Sequence, residues 1–380
     1  MEEKKYRKIC IYAICKNEAK FIPKWLDNVQ EADYIVVLDT GSTDGSYEML
    51  KNDKRVTKVK KKEIKPWRFD VARNESMKLI PDDTDICFCI DMDELINPGK
   101  PGWAQILRDN WYDEDTRANY LYAWGHNDLG EPTDVFVYDK IHSREGYEWI
   151  FPVHEVLHKT SDFEEYILNA CDAIQVHHYQ DKSKPRSSYL PLLQLAVEEN
   201  PTESHCRMML AREYLLANDL PKALDHYKAC LEYEDIKAGE RDDTLREALG
   251  RIGDIYYALN LYNESITWFN KFMKMCPTYR EPYFCIAQAY NAMGLYAAAE
   301  AMTLAGLKYS TRKYTWIERR DNWIAKADDI LAVSYYHLGN LDEALKHAAI
   351  AAEHNPNDLR IIKNYNQMLA DKLKQLQPQE

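Results

Sequence analysis

The stretch that decides the fold is Asp85-Ile-Cys-Phe-Cys-Ile-Asp-Met-Asp-Glu94, where an apolar run leads directly into carboxylates. Residues 86–90 are apolar throughout, which is typical of a strand covered on both faces. Asp91 and Asp93 follow at once, and the chain turns at Asn97-Pro-Gly99. Carboxylates in this position lie outside the carboxyl edge of an open α/β sheet, where ligands bind. Such a pair suits a hard divalent cation, which can neutralise a diphosphate.

The first 180 residues alternate short apolar runs with helix-like segments, a pattern typical of an α/β domain with a mixed, mostly parallel sheet. The runs predict strands at 9–14, 34–38, 85–90, 120–124, 135–138 and 173–176. Helices are predicted at 21–29, 46–51 and 69–79.

Three further polar segments follow strands or open helices in this half. They are Lys16-Asn17-Glu18, Asp39-Thr-Gly-Ser-Thr-Asp-Gly-Ser46 and Phe69-Asp-Val-Ala-Arg73-Asn74. The second has the composition of an ordinary strand-to-helix loop, with Gly for the turn and Ser, Thr or Asp for the cap. Each alone is as easily structural as functional, but together with Asp91-Met-Asp93 they indicate one site at one edge of the sheet.

Beyond the polar stretch 180–188, helix periodicity continues to the end and a pattern recurs four times. A small residue opens each unit, at Ala211, Gly253, Ala287 and Ala332. A tyrosine follows three residues later, at Tyr214, Tyr256, Tyr290 and Tyr335. The units are 42, 34 and 45 residues apart. The pattern predicts stacked helical hairpins, with a half-repeat at 189–201 and a capping helix at 357–374. An irregular helical bundle is the alternative.

These motifs resemble two known families. Residues 1–182 are similar to a family-2 glycosyltransferase of the GT-A fold, and residues 183–380 resemble an all-α solenoid of tetratricopeptide repeats. The combination is similar to bacterial peptide S- or O-glycosyltransferases of the bacteriocin type. The resemblance implies a nucleotide-sugar site formed by Asn17, Glu18, Asp39, Arg73, Asp91 and Met92. Many family members have two acidic residues where this chain has Asp39-Thr40, so the acidic contact with the base rests on Asp39.

The resemblance also implies a metal site for Mn²⁺ or Mg²⁺. Its ligands would be Asp93 and Asp91 at the end of the strand, completed by a histidine from the end of the domain. His178 is the first choice and His177 the alternative, because this pair directly follows the strand predicted at 173–176.

An inverting sugar transfer needs a base for the proton of the acceptor. The segment Trp149-Ile-Phe-Pro-Val-His154-Glu155 resembles the His-Glu motif of the family, which makes Glu155 the first candidate and His154 the second. An exposed charged pair in a loop is the alternative. The implied reaction moves a hexose from a UDP-sugar to a peptide or protein side chain presented by the repeats. A glycan or lipid-linked acceptor, a catalytically inactive scaffold and a nucleotidyltransferase are the alternatives, and the repeats could instead form a homodimer.

The composition limits the partners and the compartment. The chain carries 49 Lys and Arg against 62 Asp and Glu, a net charge of −13, which argues against nucleic acid as the main partner. Its nine scattered cysteines show no zinc spacing, so a reduced, cytoplasmic protein is expected. No apolar run approaches the about 18 residues of a membrane span.

Overall fold

The computed structural model describes residues 5–127, 130–181, 189–232, 242–312 and 321–376. The chain divides into two compact units, of which the first extends to Pro201 and the second begins at Thr202. The boundary expected between residues 182 and 183 lies outside the described residues. No helix within the described ranges is both long and apolar enough to cross a membrane.

The described residues of the first unit form a nine-stranded mixed sheet and a separate two-stranded hairpin. The strands are β1 (Ile9–Cys15), β2 (Tyr34–Asp39), β3 (Lys58–Lys61), β4 (Ile86–Cys89), β5 (Glu94–Ile96), β6 (Arg117–Ala123), β7 (Val135–Ser143), β8 (Tyr147–Ile150), β9 (Val156–Lys159), β10 (Ile167–Asn169) and β11 (Gln175–His178). Along the sheet the order is β3, β2, β1, β4, β7, β6, β11 and β5, with β10 beside β6, while β8 pairs with β9.

The strand directions create the edge on which the polar segments meet. β1, β2, β3 and β4 are parallel, and β6, β10 and β11 share their direction because β6 and β4 both pair antiparallel with β7. Only β7 and β5 run the other way among these described strands. The carboxyl ends of β1, β2, β4, β6 and β11 therefore lie along one edge.

The helices of the first unit are α1 (Ile22–Val29), α2 (Ser46–Asn52), α3 (Phe69–Met77), α4 (Trp103–Asn110) and α5 (Tyr189–Glu199). In α1, the residues Ile22, Trp25, Leu26 and Val29 are buried, with the spacing of one helix face. They pack in the main core with the largely buried strand β1 and the buried strand β4, and this core also contains Trp103 and Tyr120.

All six predicted strands and all three predicted helices of this unit are confirmed. The sequence pattern did not reveal β3, β5, β8, β9, β10 or α4. These strands are three or four residues long, and β3, with the sequence Lys-Val-Lys-Lys, is a mostly exposed edge strand. The strand prediction depends on apolar residues that alternate along the chain. A charged edge strand lacks this pattern because neither of its faces is buried.

The segment predicted as a half-repeat forms α5 and belongs to the first compact unit. The ring of Tyr189 lies 6.2 Å from that of Phe69 and 5.6 Å from that of His154. At the other end of α5, Glu199 accepts a hydrogen bond of 2.6 Å from Arg68. These contacts tie α5 to the start of α3 and to the loop that carries the candidate base.

The second unit consists of helical hairpins, which confirms the predicted repeat architecture. Its helices are α6 (Ser204–Leu216), α7 (Leu220–Cys230), α8 (Asp242–Ala258), α9 (Tyr262–Met275), α10 (Arg280–Ala292), α11 (Tyr296–Leu307), α12 (Asp321–Ile324), α13 (Lys326–His337), α14 (Leu341–His354) and α15 (Leu359–Leu376). The four repeats correspond to the pairs α6–α7, α8–α9, α10–α11 and α13–α14, and α15 is the predicted capping helix. Segments 233–241 and 313–320, which fall in the two longer repeats, lie outside the described residues.

The repeated small residues are the points at which the two helices of a hairpin approach. Ala211 and Ala287, which open two of the units, are fully buried, as are Ala223 and Ala299, the small residues twelve positions later on the second helix of each hairpin. In the second hairpin, Ser265 donates a hydrogen bond of 2.9 Å to the carbonyl of Gly253. A Cβ atom at Gly253 would lie 2.5 Å from the ring of Phe269, which is itself buried. This contact explains why a glycine occupies a helix interior.

We expect Gly253→Ala to destabilise the second unit. Overpacking against the Phe269 ring costs about 1–3 kcal/mol, which exceeds the gain of about 1 kcal/mol in helix propensity. Gly250→Ala is the matched control in the same helix, because its Cβ would lie 3.5 Å from the Phe272 ring. Urea unfolding followed by circular dichroism should give a lower midpoint for Gly253→Ala and an equal or higher one for Gly250→Ala. The reverse order would contradict this packing.

Candidate active site

The centre of the candidate site is the buried guanidinium of Arg73 on α3. Its Nη1 and Nη2 donate hydrogen bonds of 2.8 and 2.9 Å to the two carboxylate oxygens of Asp91. Its Nε donates to Oε1 of Glu155. Burial alone would raise the pKa of Asp91, but the charges of Arg73 and Lys140 outweigh it and hold that pKa well below its ordinary value. Arg73 therefore joins two predicted site residues that lie far apart in the chain.

A second buried cation, Lys140 on β7, supports the same acidic segment. Its Nζ lies 3.2 Å from Oδ2 of Asp91 and 3.1 Å from Oε1 of Glu94. Burial would lower the pKa of Lys140, but these two carboxylates outweigh it and raise that pKa. Glu94 also accepts hydrogen bonds of 2.8 Å from the backbone N–H of Asp91 and from the hydroxyl of Tyr122. The charge-assisted hydrogen bonds that Lys140 makes with Asp91 and Glu94 thus fix the turn after β4.

The loop that carries the two candidate bases is fixed to α3. Asn74 exchanges two hydrogen bonds of 2.8 Å with the backbone of Trp149. His154 has a positive φ of 50°, a conformation that L side chains rarely adopt. Its ring packs against Tyr189, whereas Glu155 binds Arg73. The structure therefore brings Glu155 to the Asp91 network and turns His154 toward α5.

Asp39 lies at the end of β2 and is fully buried. Its Oδ1 accepts hydrogen bonds of 3.0 and 2.9 Å from the backbone N–H groups of Gly41 and Ser42. Its Oδ2 is buried and has no hydrogen-bond partner in the described part of the chain. A buried carboxylate oxygen without a donor is costly, so this atom is suited to receive one from a ligand.

The segment after β1 packs against the loop that follows Asp39. The backbone N–H of Asn17 donates a hydrogen bond of 2.9 Å to Ser42, and its side-chain oxygen accepts one of 2.8 Å from the N–H of Thr43. The backbone N–H of Glu18 donates to Ser46 at 2.8 Å. Asn17 therefore shapes the loop. The side chain of Met92 is buried in the core, so its predicted contact with a nucleotide could come only from its main chain.

Asp93 and His178 are brought together by the antiparallel pairing of β5 with β11. Nε2 of His178 lies 3.3 Å from Oδ2 of Asp93, and the backbone N–H of Tyr179 donates to the carbonyl of Asp93 at 2.7 Å. Burial would lower the pKa of His178, but the hydrogen bond and charge of Asp93 outweigh it and raise that pKa. The alternative ligand, His177, instead shares a hydrogen bond of 2.9 Å with His126.

Within the described residues, no group of three or more His, Cys, Asp or Glu side chains is arranged to hold a metal ion. Asp91 is occupied by Arg73 and Lys140, which leaves Asp93 and His178 as the adjacent pair of predicted ligands. A carboxylate and an imidazole are suitable donors for a divalent cation that takes its other ligands from a diphosphate and water.

Sequence reasoning did not identify Lys140 or the supporting role of Glu94. Lys140 lies within an otherwise largely apolar stretch of β7, and a lysine there could equally face solvent. Its burial depends on the pairing of β7 with both β4 and β6, which the local sequence does not specify.

We expect Lys140→Met to destabilise the first unit by about 3–5 kcal/mol, because it leaves the buried Glu94 and the partly buried Asp91 with one cation fewer. The control is Lys60→Met on the exposed strand β3, which should leave the unfolding midpoint unchanged. Adding Glu94→Gln to Lys140→Met should recover part of the loss, since the two charges interact directly. If Lys140→Met unfolds at the same denaturant concentration as the wild type, the charge of Lys140 does not stabilise the network.

Comparison with solved structures finds repeat proteins that overlap about half of this chain. One is a thermophilic tetratricopeptide-repeat protein of Thermus thermophilus, with 21% identity, a TM-score of 0.36 and coverage of 48% of this chain and 90% of that one. Another comes from Parabacteroides merdae, with 17% identity, a TM-score of 0.38 and coverage of 48% and 65%. These low scores add nothing to the fold described above. No curated protein matches the sequence.

The family model described as Glycosyl transferase family 2 matches residues 10–113. The match contains the polar segments after β1, β2 and β4 together with Arg73, and it ends before β6. The narrower resemblance to peptide glycosyltransferases of the bacteriocin type stays a prediction. Residues 10–113, which lie within the first unit, are thus similar to glycosyl transferase family 2, and this match supports a glycosyltransferase.

Proposed function

We propose that this protein transfers a hexose from a UDP-sugar, with inversion and with the help of Mn²⁺ or Mg²⁺, to a peptide or protein side chain. The observation that carries the proposal is the single edge on which Asp39, Asp91, Asp93 and His178 meet, with Glu155 joined to Asp91 through Arg73. The family 2 match supports the sugar transfer, the donor and the metal are inferred from the site, and the acceptor is inferred from the helical hairpins of the second unit.

The nucleotide would bind at the end of β2. Oδ2 of Asp39 is buried and has no partner among the described residues, so it can accept the N–H of a uracil ring. Its other oxygen is already held by two backbone N–H groups, which fixes the direction of the carboxylate. The ring N3–H is present in uracil and absent in cytosine, so a contact of Asp39 with that ring position would satisfy the buried atom in a uridine nucleotide but not in a cytidine nucleotide.

Asp93 and His178 would hold the divalent cation, which supplies positive charge for the departing diphosphate. Such a cation is needed because the hydrogen-bonded network of the site has a net negative charge. It contains two cations, Arg73 and Lys140, and three carboxylates, Asp91, Glu94 and Glu155. A net negative site repels an anionic diphosphate unless a cation lies between them.

Glu155 would act as the base in a single displacement. The acceptor oxygen, sulfur or nitrogen attacks the anomeric carbon while Glu155 takes its proton, and the bond from that carbon to the diphosphate oxygen breaks to release UDP. The ion pair with Arg73 holds the carboxylate of Glu155 in one orientation, which a base needs in order to reach the proton. His154 packs on Tyr189 and is the second candidate.

The acceptor would be a polypeptide bound by the helical hairpins of the second unit, because stacked hairpins form extended binding surfaces. Glycan or lipid-linked acceptors, or a scaffold without activity, are the other candidates. The cysteines at all nine positions are free thiols, and eight of them are buried, which supports a reducing compartment such as the cytoplasm.

The metal assignment is tested by Asp93→Asn. We expect Mn²⁺-dependent binding of UDP, measured by titration calorimetry, to weaken by more than about tenfold, since a cation ligand is lost. Asp82→Asn is the control, because the side chain of Asp82 is fully exposed and pairs at the surface with Arg144. Equal UDP affinity in Asp93→Asn and the control would remove Asp93 from the metal site.

The base assignment is tested by comparing Glu155→Gln with His154→Gln. Glutamine at 155 keeps an oxygen for Arg73 but cannot accept a proton, so turnover of the UDP-sugar should fall by about 10²- to 10⁴-fold. Donor affinity should change little. His154→Gln should retain most of the rate, because His154 faces Tyr189. If the large loss appears in His154→Gln instead, the roles of the two residues are exchanged.

A further inference from the structure

Trp124 is a large, exposed aromatic side chain at the ligand-binding edge of the sheet. It follows β6 directly, and 46% of its surface is accessible to solvent. Its backbone N–H donates a hydrogen bond of 2.8 Å to the carbonyl of Asp134, which ties it to the opposite side of the loop between β6 and β7. The position of the residue is therefore defined although its side chain is exposed.

One side of the Trp124 ring is supported by His178. The two ring centroids are 4.6 Å apart at an angle of 34°, and the ring centroid of Tyr122 is 6.2 Å from each of them. His178 is in turn 3.3 Å from Asp93. Trp124 thus presents a fixed apolar surface next to the pair of residues proposed to hold the cation.

The order of the strands indicates which part of the donor would lie there. Along the edge, Asp39 ends β2, Asp91 follows β4, Trp124 follows β6 and His178 ends β11. A nucleotide with its base at Asp39 and its diphosphate at Asp93 has its remaining part, the sugar, beyond the diphosphate. Trp124 follows β6, four strand positions from the base pocket, and its ring contacts His178 on the neighbouring strand β11. It therefore lies beside the proposed diphosphate site, to which the sugar is attached, and far from the base.

We propose that Trp124 binds the transferred sugar of the donor by stacking on the C–H face of its ring, and that it determines sugar specificity. This inference rests on the proposed function. A pyranose ring has an apolar face of C–H groups, and an indole offers a large flat partner with few rotatable bonds to immobilise. Because His178 already supports the indole, little further ordering is needed when the sugar binds.

The test compares binding of UDP with binding of UDP-glucose and UDP-N-acetylglucosamine, each with Mn²⁺, by titration calorimetry. In Trp124→Ala we expect the affinity for the UDP-sugar that the wild type prefers to fall at least about fivefold, the lower end of what an aromatic stacking platform contributes. Affinity for UDP itself should stay unchanged. Trp124→Phe should recover most of the loss, because it keeps a flat ring.

Tyr112→Ala is the matched control. Tyr112 is also an exposed aromatic residue of the first unit, but its neighbour Asp113 pairs with Arg7, which precedes β1 and so lies at the opposite edge of the sheet. This variant should bind UDP and both UDP-sugars as the wild type does.

Other outcomes separate this inference from the proposed function. An equal loss of UDP and UDP-sugar affinity in Trp124→Ala would mean that the ring only supports His178, which overturns the inference. Unchanged donor binding with a raised KM for the acceptor would assign Trp124 to the acceptor and also overturn it. If the wild type binds neither UDP nor any UDP-sugar, the proposed function fails and the inference fails with it.

Discussion

The first unit depends on one buried cation, the guanidinium of Arg73. A charge removed from water is costly unless oppositely charged groups surround it in good geometry. Arg73 meets this condition only when α3, the turn after β4 and the loop after β8 are all in place, because Asp91 and Glu155 come from the last two. The carboxylates that compensate the buried charge of Arg73 are therefore also the site residues that it holds in position.

The network around Arg73 separates the roles of two aspartates that look equivalent in the sequence. Asp91 binds both Arg73 and Lys140, whereas Asp93 contacts His178. Asp91 is thus already paired with two cations, whereas Asp93 has an imidazole beside it, and carboxylate and imidazole are both donors for a divalent cation. The Asp-x-Asp pair thus combines a structural anchor with a candidate ligand, and Trp124 lies next to the latter through His178.

The fold could be predicted to a large extent because its main elements bury continuous apolar faces. The strands β1 and β4 are buried along nearly their whole length, and the repeated small residues mark the close contacts of the hairpins. The prediction failed for short strands, such as β3, whose pairing is made by backbone atoms and leaves no apolar pattern. It also placed the segment of α5 in the repeats, whereas the contacts of Tyr189 and Glu199 hold it in the first unit.

By itself, the sequence determined the two-part architecture, the polar segments at the strand ends and the residue types available for chemistry, because apolar periodicity and turn residues are local properties. Only the tertiary structure decided how these residues are used. In the folded chain, the buried Lys140 binds Asp91, and Asp93 pairs with His178. Glu155 binds Arg73, whereas His154 packs against Tyr189. Such assignments depend on which strands become neighbours and on charge compensation between residues far apart in the chain, and neither is encoded in a local pattern.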